Sequence, residues 1–230
     1  MVVIEYTINM QIIWKGHSCF QIISQAVKNN QVALVIDPYD EQIGLRVPKL
    51  EADILLITHS HYDHNNKKAV SSPMAGQTPF LIEGPGEYEV KGIFFQGVHS
   101  WHDEKEGEER GDNTIFVIEA EGLRLCHLGD FGQKELTGEQ LEAIGDIDIL
   151  MIPIGGNYTI DAKGAQKVIS QIEPKIVLPM HYLIPKLKLK IDGLDKFLKV
   201  MGKKSVEPQN KLTIKKKDLT EGMQIIALRS

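Results

Sequence analysis

The chain has 230 residues, of which 42% are hydrophobic, and it carries a formal net charge of −5. This length and apolar content are typical of one domain with a sizeable core, while the mildly acidic total gives no reason to expect nucleic acid or an anionic membrane as a partner. No apolar run reaches the length of a transmembrane helix, and the first residues lack the pattern of a secretion signal, so we expect a cytoplasmic protein without membrane contact.

We expect a single domain over residues 1–230, because no linker-like segment or internal repeat divides the chain. Residues 1–9 could form an N-terminal extension of this domain. The two cysteines, Cys19 and Cys126, lie within strand patterns rather than in a paired loop framework. This placement favours reduced thiols in the core and agrees with a cytosolic compartment.

The first half of the chain is typical of short β-strands separated by polar turns. The first strand patterns cover residues 12–14, 18–23 and 32–36. Their β-branched and apolar residues favour extended structure. His17 lies in the turn between the first two patterns, and Asp37 closes the third. The sequence leaves open whether His17 lies near a functional site or is an ordinary turn histidine.

A dense group of polar side chains follows the next strand pattern, residues 54–57. Within six positions the chain presents His59, His61, Asp63 and His64. A segment this short cannot easily wrap all four groups around one tetrahedral ion, because neighbouring side chains of an extended segment point apart. We therefore predict two metal ions side by side, with His59 and His61 on one ion and Asp63 and His64 on the other.

The rest of the chain should then supply one more histidine for each ion and a carboxylate that bridges them. The candidates are His102 after residues 93–101, Asp130 after residues 123–129, and His181 after residues 175–180. Each candidate lies at the C-terminal end of a strand pattern, which is how residues distant in sequence come to line one edge of a sheet. We expect Asp130 to be the bridging carboxylate.

The segments around His102 have less distinct secondary-structure patterns. The pattern predicts a helix that begins within residues 65–70, and a strand over residues 80–83 that leads into a glycine-rich hairpin segment, GPGEYEVKG. The charged run 103–110, DEKEGEER, directly follows His102. Two interpretations are open for this run: a solvated loop, or a mobile flap over the metal site.

The second half alternates helices with strands. Thr137 and Gln140 predict a capping box at the start of a short helix, and Asp161 predicts the cap of the next helix. The strand pattern between these helices ends at a segment on the same edge as the ligands: Gly155, Gly156, Asn157 and Tyr158. These residues could hold a substrate oxygen through glycine N–H groups or through the Asn and Tyr side chains, or could form an ordinary glycine turn.

Three lysines alternate just beyond His181, at Lys186, Lys188 and Lys190. The alternation predicts a protected edge strand, because charged side chains discourage pairing with another chain. A site for an anionic substrate is the alternative.

The segment THSHYDH, residues 58–64, with His102, Asp130 and His181 following in order, resembles the metallo-β-lactamase superfamily. The segments GHSCF, IDPYD, HLGD, PIGGNYT and PMHY resemble a branch of small metal-dependent hydrolases related to the L-ascorbate-6-phosphate lactonases. The resemblance covers roughly residues 11–197. Together with the strand-rich first half and the mixed second half, it implies an α/β fold: a four-layer αββα sandwich of two mixed β-sheets flanked by helices.

The resemblance also implies roles beside the metal ligands. In this superfamily the aspartate at the position of Asp37 hydrogen-bonds the histidine loop instead of binding metal, whereas a turn aspartate before Pro38 is the simpler interpretation. His127, within HLGD, could support a ligand in the same way or could be a buried imidazole that is satisfied locally. The redox relatives carry a glutamate where this chain has His61, which argues against a di-iron site that reduces oxygen.

The predicted site indicates hydrolysis. Two divalent ions lower the pKa of a water held between them to about 7, so a metal-bound hydroxide would attack a carbonyl or phosphoryl centre while Asp130 bridges the ions and Asp63 orients the hydroxide. Zn²⁺ is the first expectation for an imidazole-rich site, and Mn²⁺ or Fe²⁺ would also suit it.

The resemblance favours an ester or lactone as the small-molecule substrate. A phosphodiesterase or nuclease of the same superfamily is the alternative, although such nucleases usually carry an inserted domain for which this chain has no room. A metal-binding protein without turnover is a further alternative from another class. The sequence leaves assembly into a homo-oligomer open.

Overall fold

The computed structural model describes residues 9–27 and 30–230. The predicted N-terminal extension, residues 1–9, lies outside the described residues except for Asn9. The strands are, in chain order, β1 (Met10–Gly16), β2 (Cys19–Val27), β3 (Asn30–Ile36), β4 (Leu50–Glu51), β5 (Ile54–Ile57), β6 (Val70–Ser71), β7 (Phe80–Glu83), β8 (Gly86–Val90), β9 (Ile93–Trp101), β10 (Asp112–Ala120), β11 (Leu123–His127), β12 (Ile149–Pro153), β13 (Ile176–Met180), β14 (Leu212–Ile214) and β15 (Gln224–Ile225). The α-helices are α1 (Gly138–Ile144), α2 (Ala162–Ile172) and α3 (Leu194–Val200).

Most of the strands belong to two mixed sheets. The first sheet has the order β14-β1-β2-β3-β5-β7, and the second has the order β15-β13-β12-β11-β10-β9-β8. Strands β1 to β3 are antiparallel, whereas β3, β5 and β7 run parallel. In the second sheet β8 to β11 are antiparallel, whereas β11, β12, β13 and β15 run parallel. The predicted pair of mixed sheets is confirmed.

The two sheets share one main hydrophobic core. Alternate residues of a strand point to opposite faces of its sheet, so Leu34 and Ile36 of β3 enter this core. Phe95 of β9 and Phe116 of β10 meet them from the second sheet. Burying each such side chain contributes roughly 1.5–3 kcal/mol. The buried faces of the three α-helices join the same core, for instance through Val168 of α2.

The outer face of the first sheet is covered by a smaller apolar cluster. Val35 of β3 and Leu55 of β5 contribute to it from the strands. Ile43, from a short 3-10 turn, and Leu187 and Ile191, from the segment after β13, cover them. The predicted sandwich is therefore confirmed, with α-helices packed into its main core and irregular segments over this outer face.

The strand directions bring several chain segments to one edge of the sandwich. Because β3 and β5 are parallel, the residues that follow Ile36 and Ile57 emerge side by side. The parallel strands β11, β12 and β13 end together in the same way. Strand β9 has the direction of β11, since both are antiparallel to β10. The candidate ligands follow these strand ends.

The helix predicted to begin within residues 65–70 is wrong. The structure has a single 3-10 turn there, Lys67–Ala69, followed by strand β6. The Asn66 N–H donates to the Pro38 carbonyl at 2.8 Å, and the Asn66 side chain donates to the Tyr39 carbonyl at 2.9 Å. These bonds tie the segment to the loop after β3, and Val70 then pairs with Leu50 of β4, so the chain cannot continue as a helix.

The edge strand predicted from the alternating lysines is also wrong. Lys186 has a left-handed backbone with a φ of +73°, and the Lys188 N–H donates to the Ile43 carbonyl at 2.8 Å. The intervening Leu187 is buried in the smaller cluster. The alternation reflects a loop that packs its apolar side chains on the first sheet and leaves its lysines outside.

Other local predictions are confirmed. The Thr137 hydroxyl accepts from the Gln140 N–H, the Gln140 side chain completes the capping box of α1, and Asp161 caps α2. The hairpin predicted from GPGEYEVKG is formed by β8 and β9, with Val90 opposite Ile93.

Both cysteines are buried and free, and burial raises the pKa of each thiol. Within the part of the chain that the structure describes, the helices are too short or too polar to span a lipid bilayer.

Candidate metal centre

Several predicted site residues stand at strand ends with an unusual backbone. His17, Asp37 and His181 directly follow β1, β3 and β13, and their φ angles are +54°, +48° and +49°. Residues with a Cβ rarely adopt this left-handed region, and such conformations collect at functional sites because the surrounding structure must hold them. These left-handed conformations turn the backbone and keep the three side chains at the edge where the strands end.

Asp130 lies at the centre of the site. Its Oδ2 is 3.1 Å from Nε2 of His64, 3.3 Å from Nε2 of His102 and 3.4 Å from Nε2 of His181. Burial opposes ionisation of this carboxyl group, but the charges of His181 and His64 and the hydrogen bonds from the imidazoles outweigh burial, so the pKa of Asp130 lies well below its ordinary value. One carboxylate oxygen therefore faces three histidines that come from three different parts of the chain.

His59, His61 and His102 form the first group of candidate ligands. One ring nitrogen of each lies within 4.8 Å of the others. Nδ1 of His59 is 3.0 Å from the Thr58 hydroxyl, which leaves its Nε2 as the ligand atom. Burial, with the neighbouring imidazole of His64, lowers the pKa of His59 well below its ordinary value. The imidazole is therefore neutral, which is the form that binds a metal ion.

The second group lies on the other side of Asp130. Ligand atoms of Asp63, His64 and Asp130 lie within 4.8 Å of one another, as do those of His17, His64 and His181. Nε2 of His17 is 3.2 Å from Oδ2 of Asp63. The structure thus brings the seven predicted ligands together around Asp130. It also places His17 beside the site, so the alternative of an unrelated turn histidine does not hold.

Asp37 holds the histidine loop in place. Its carboxylate accepts from the Thr58 N–H at 2.9 Å, from the Thr58 hydroxyl at 2.7 Å and from Nδ1 of His64 at 2.9 Å. The last bond directs Nε2 of His64 toward Asp130. Burial opposes protonation of His64, but the carboxylates of Asp130 and Asp37 raise its pKa well above its ordinary value. A metal ion at Nε2 would bind the neutral form of this imidazole.

His127 supports Asp130 through the backbone. Its Nδ1 accepts from the Gly129 N–H at 3.1 Å, so Nε2 carries the proton and donates to the Ser18 carbonyl at 2.9 Å. The Ser18 hydroxyl in turn donates to Oδ1 of Asp130 at 3.4 Å. The two interpretations of His127 thus coincide: the imidazole is satisfied locally, and its partners flank the central carboxylate.

Asn113 is a supporting residue that the sequence pattern did not reveal. It is fully buried on β10, and its Oδ1 accepts from the Asp130 N–H at 2.9 Å while its Nδ2 donates to the Leu128 carbonyl at 2.8 Å. A Cβ at Gly129 would lie 2.2 Å from Oδ1 of Asn113, so only glycine fits at this point. Asn113 is one of three consecutive polar residues at the start of β10, Asp112 to Thr114, so the sequence offers no signal that singles it out.

Gly155 and Gly156 support the site instead of lining it. Both are buried, and a Cβ at Gly155 would lie 2.3 Å from the His181 carbonyl oxygen. The Gly156 N–H donates to the Ile160 carbonyl at 3.2 Å. The predicted use of glycine N–H groups for a substrate oxygen therefore has no support in this geometry, and close packing against the His181 segment explains Gly155.

A cavity of about 130 Å³ opens above the ligands. It is lined by His61, Tyr62, Asp63, His102, Arg110, Asp130, Asn157, Tyr158, His181 and Leu189. The predicted substrate contacts Asn157 and Tyr158 thus do line the cavity. Tyr158 is 56% exposed and stands at its mouth.

The charged run 103–110 is folded around one side chain. The carboxylate of Asp103 accepts from the N–H groups of Lys105, Gly107, Glu109 and Arg110 at 2.7–3.1 Å. Burial opposes ionisation of Asp103, but these bonds, that of Arg110 first, lower its pKa. The run is therefore a loop with a defined, hydrogen-bonded conformation and not a series of independent solvated residues. It places the Arg110 guanidinium 3.0 Å above the centre of the Tyr158 ring.

The donor set fits the binding of divalent metal ions. Among the described residues, Nε2 of His59 is buried and has no hydrogen-bond partner. A buried unpartnered nitrogen is costly unless something else binds it. Imidazole nitrogens with carboxylate oxygens are the ligands that Zn²⁺ and similar ions take in hydrolases.

A family model described as a β-lactamase superfamily domain matches residues 11–181. A UPF0173 metal-dependent hydrolase of Thermococcus onnurineus is 30% identical over 73% of this chain and 82% of its own length. A UPF0173 metal-dependent hydrolase of Thermoplasma acidophilum is 31% identical over 76% of this chain and 84% of its own length.

A solved structure is similar over nearly the whole chain. It is a Thermotoga maritima protein assigned as a Zn-dependent hydrolase of the metallo-β-lactamase superfamily. The two chains superpose with a TM-score of 0.75 at 33% identity, over 95% of this chain and 98% of the other.

Proposed function

Since the chain belongs to the metallo-β-lactamase superfamily, within its UPF0173 family of metal-dependent hydrolases, we propose that it binds two divalent ions and hydrolyses an ester or lactone. Zn²⁺ is the first candidate for these ions. The relation to the L-ascorbate-6-phosphate lactonases stays a prediction, and so does a cytoplasmic location. The observation that carries the proposal is the position of Oδ2 of Asp130, within 3.1–3.4 Å of Nε2 of His64, His102 and His181.

The residues that would hold the ions form two sets that meet at Asp130. His59, His61 and His102 would hold one ion, and Asp63, His64 and His181 would hold the other. When bound, such a pair supplies a hydroxide near neutral pH and polarises the oxygen of the bond to be cleaved. Asp130 contacts histidines of both sets, so its carboxylate suits the bridging position.

The chain's own groups prepare this site before substrate arrives. Asp37 and the Thr58 hydroxyl fix the imidazoles of His64 and His59 with Nε2 inward. Ligands held in this way need not reorganise during the reaction. Asp63 lies in the cavity wall, where it would accept a hydrogen bond from the attacking water. His17, at 3.2 Å from Asp63, holds that carboxylate toward the cavity.

The proposal is tested by metal analysis combined with a panel of esters and lactones. We expect two equivalents of zinc per chain and turnover of at least one ester or lactone. Asp130→Asn should lower the zinc content and reduce kcat/KM by about 10²–10⁴-fold, the range that a positioned catalytic group contributes. Asp146→Asn, at an exposed aspartate after α1, is the matched control and should change neither.

Two results would contradict the proposal. Wild-type protein that binds fewer than two equivalents of zinc would exclude the binuclear site. Zinc-loaded protein that cleaves none of the esters and lactones would exclude the substrate class, and turnover of bis(4-nitrophenyl) phosphate alone would indicate a phosphodiesterase instead.

A further inference from the structure

Arg110 occupies a position that the metal chemistry does not require. Its backbone N–H is held at 2.7 Å by Oδ2 of Asp103, which directly follows the candidate ligand His102. A Cβ at Gly107, in the same loop, would lie 2.7 Å from the Trp101 ring, so the loop is also packed against the end of β9. The base of the Arg110 side chain is therefore fixed relative to the metal centre.

The guanidinium group of Arg110 is available to a ligand. Three other charges of the loop are paired: Lys105 with Glu109, and Glu104 with Lys134 outside the loop. In the described part of the chain, no carboxylate lies within 4.0 Å of the Arg110 guanidinium. Its neighbour is the face of the Tyr158 ring. Stacking on an aromatic ring holds a guanidinium in one plane and leaves its N–H edge free for a carboxylate or phosphate.

Arg110 stands between two open spaces. It lines the 130 Å³ cavity over the ligands and also an adjacent groove of about 340 Å³. The groove is lined by the carboxylates of Glu83 and Asp112, so a negative group would not favour its far side. An anion therefore fits best close to the metal centre, where Arg110 is the one arginine or lysine among the lining residues.

The charge of the loaded site favours the same conclusion. Asp63 and Asp130 are the carboxylates that line the cavity and together carry −2, against +4 on two divalent ions. The centre is thus electropositive before Arg110 adds a further charge. Opposite charges at close range in a partly enclosed site attract more strongly than in water.

We propose that Arg110, held by Asp103 and stacked on Tyr158, binds an anionic group of the substrate, so that the enzyme cleaves esters or lactones which carry a carboxylate or phosphate near the scissile bond. This inference rests on the proposed ester or lactone hydrolysis and names its substrate class. Arg110 is therefore a specificity-determining residue. It selects the substrate and takes no part in metal binding.

The test compares two esters that differ only at one end. Mono-4-nitrophenyl succinate carries a carboxylate where 4-nitrophenyl butyrate carries a methyl group. We expect the zinc-loaded wild type to prefer the succinate in kcat/KM. Arg110→Ala should reduce the ratio of the two kcat/KM values by about tenfold or more, which is the usual effect of losing a hydrogen bond to a charged group. Arg110→Lys should retain part of the preference.

Lys105→Ala is the matched control, because it removes a positive charge from the same loop at a side chain that is 62% exposed and does not line the cavity. It should leave the ratio unchanged. A ratio that Arg110→Ala does not alter would overturn the proposal. A ratio that falls equally in Lys105→Ala would also overturn it. General attraction between the anionic ester and positive charge, and not a specific contact with Arg110, would then explain the preference.

A binding measurement separates this proposal from the proposed function. Succinate is titrated calorimetrically into the zinc-loaded wild type, Arg110→Ala and Lys105→Ala proteins. If no ester or lactone of the panel is cleaved, the proposed hydrolysis fails, yet succinate binding that is about tenfold weaker in Arg110→Ala alone would still support the anion site. Equal affinity in all three proteins, or no binding to the wild type, would overturn it.

Discussion

The floor and the rim of the site are built in different ways. The floor consists of the seven candidate ligands at the strand ends: His59, His61, Asp63, His64, His102, Asp130 and His181. The rim consists of the loop 103–110 and the pair Asn157 and Tyr158. The floor residues are held by buried hydrogen bonds such as those of Asp37, whereas Tyr158 of the rim is 56% exposed.

This difference separates the type of reaction from the choice of substrate. The floor depends on sheet order and close backbone packing, so a change there should affect metal binding and every substrate alike. The rim depends on a loop closed by one carboxylate and on one stacking contact, so a change there should affect some substrates more than others.

Removal of metal should have the largest effect, because it acts on the floor as a whole. With zinc at about one hundred times its Kd, binding stabilises the folded state by about 2.7 kcal/mol, which corresponds to roughly 5–10 °C in Tm for a chain of this size. A chelator should abolish activity and lower Tm by that amount, as measured by calorimetry. Equal melting curves with and without chelator would show that the floor does not bind metal. Asp130→Asn, as a control, should respond less to the chelator.

Asp37→Asn should have the next largest effect. Oδ2 of Asp37 accepts from both the Thr58 hydroxyl and His64, and an amide nitrogen at that position can accept from neither. We expect zinc affinity to fall about 10–100-fold, the usual cost of losing such support, as measured by competition with a chromogenic chelator. Asp53→Asn is the control, because Asp53 lies at the other end of β5 and accepts from the Ala33 N–H. A similar fall in Asp53→Asn would indicate a general loss of structure.

The floor was predictable from the sequence because its residues follow strand patterns. His59 to His64 follow a buried four-residue strand, and a parallel sheet brings that strand's end beside the next. The supporting Asp37 was predictable only through resemblance to a known family. Asn113 was not, since nothing distinguishes it from its polar neighbours Asp112 and Thr114 at the start of β10.

The structure of the rim could not be predicted from the sequence in the same way. Its geometry depends on four backbone N–H groups converging on Asp103, and nothing in the composition of DEKEGEER distinguishes this carboxylate from its neighbours. The contact between Arg110 and Tyr158 joins loops that are 48 positions apart. The edge strand predicted over Lys186 to Lys190 was wrong for a related reason. The alternation of the lysines matched a strand, but packing of this segment on the first sheet determined its conformation.

Asp103→Asn should loosen the rim and leave the floor intact. An amide oxygen can replace only part of the four hydrogen bonds, so we expect the amides of residues 105–110 to exchange with solvent about tenfold faster. Hydrogen exchange with mass spectrometry measures this, and zinc content should stay unchanged. Glu106→Gln, at a loop carboxylate outside this network, is the control. Unchanged exchange in Asp103→Asn would refute the role of Asp103 as the centre of the loop.

The same carboxylate predicts a pH dependence. The pKa of Asp103 is lower in the folded protein than its ordinary value near 3.9, so ionised Asp103 stabilises the loop above that value. This contribution is lost as the pH falls through the folded pKa. Loop order in the wild type should therefore decline at acid pH, while Asp103→Asn should show no such decline from this group. An equal decline in both proteins would assign the effect elsewhere.

Tyr158 should give the smallest effect, since only a stacking contact depends on it. A cation over an exposed ring is stabilised by about 0.5–1 kcal/mol, so Tyr158→Ala should weaken the Arg110-dependent preference for the anionic ester by about two- to fivefold. Tyr158→Phe keeps the ring and should keep the preference, as measured by the ratio of kcat/KM values for the two nitrophenyl esters. If Phe reduces the ratio as far as Ala does, the hydroxyl group contacts the substrate directly. If both variants reduce zinc content, Tyr158 belongs to the floor, and the separation of reaction type from substrate choice fails at this residue.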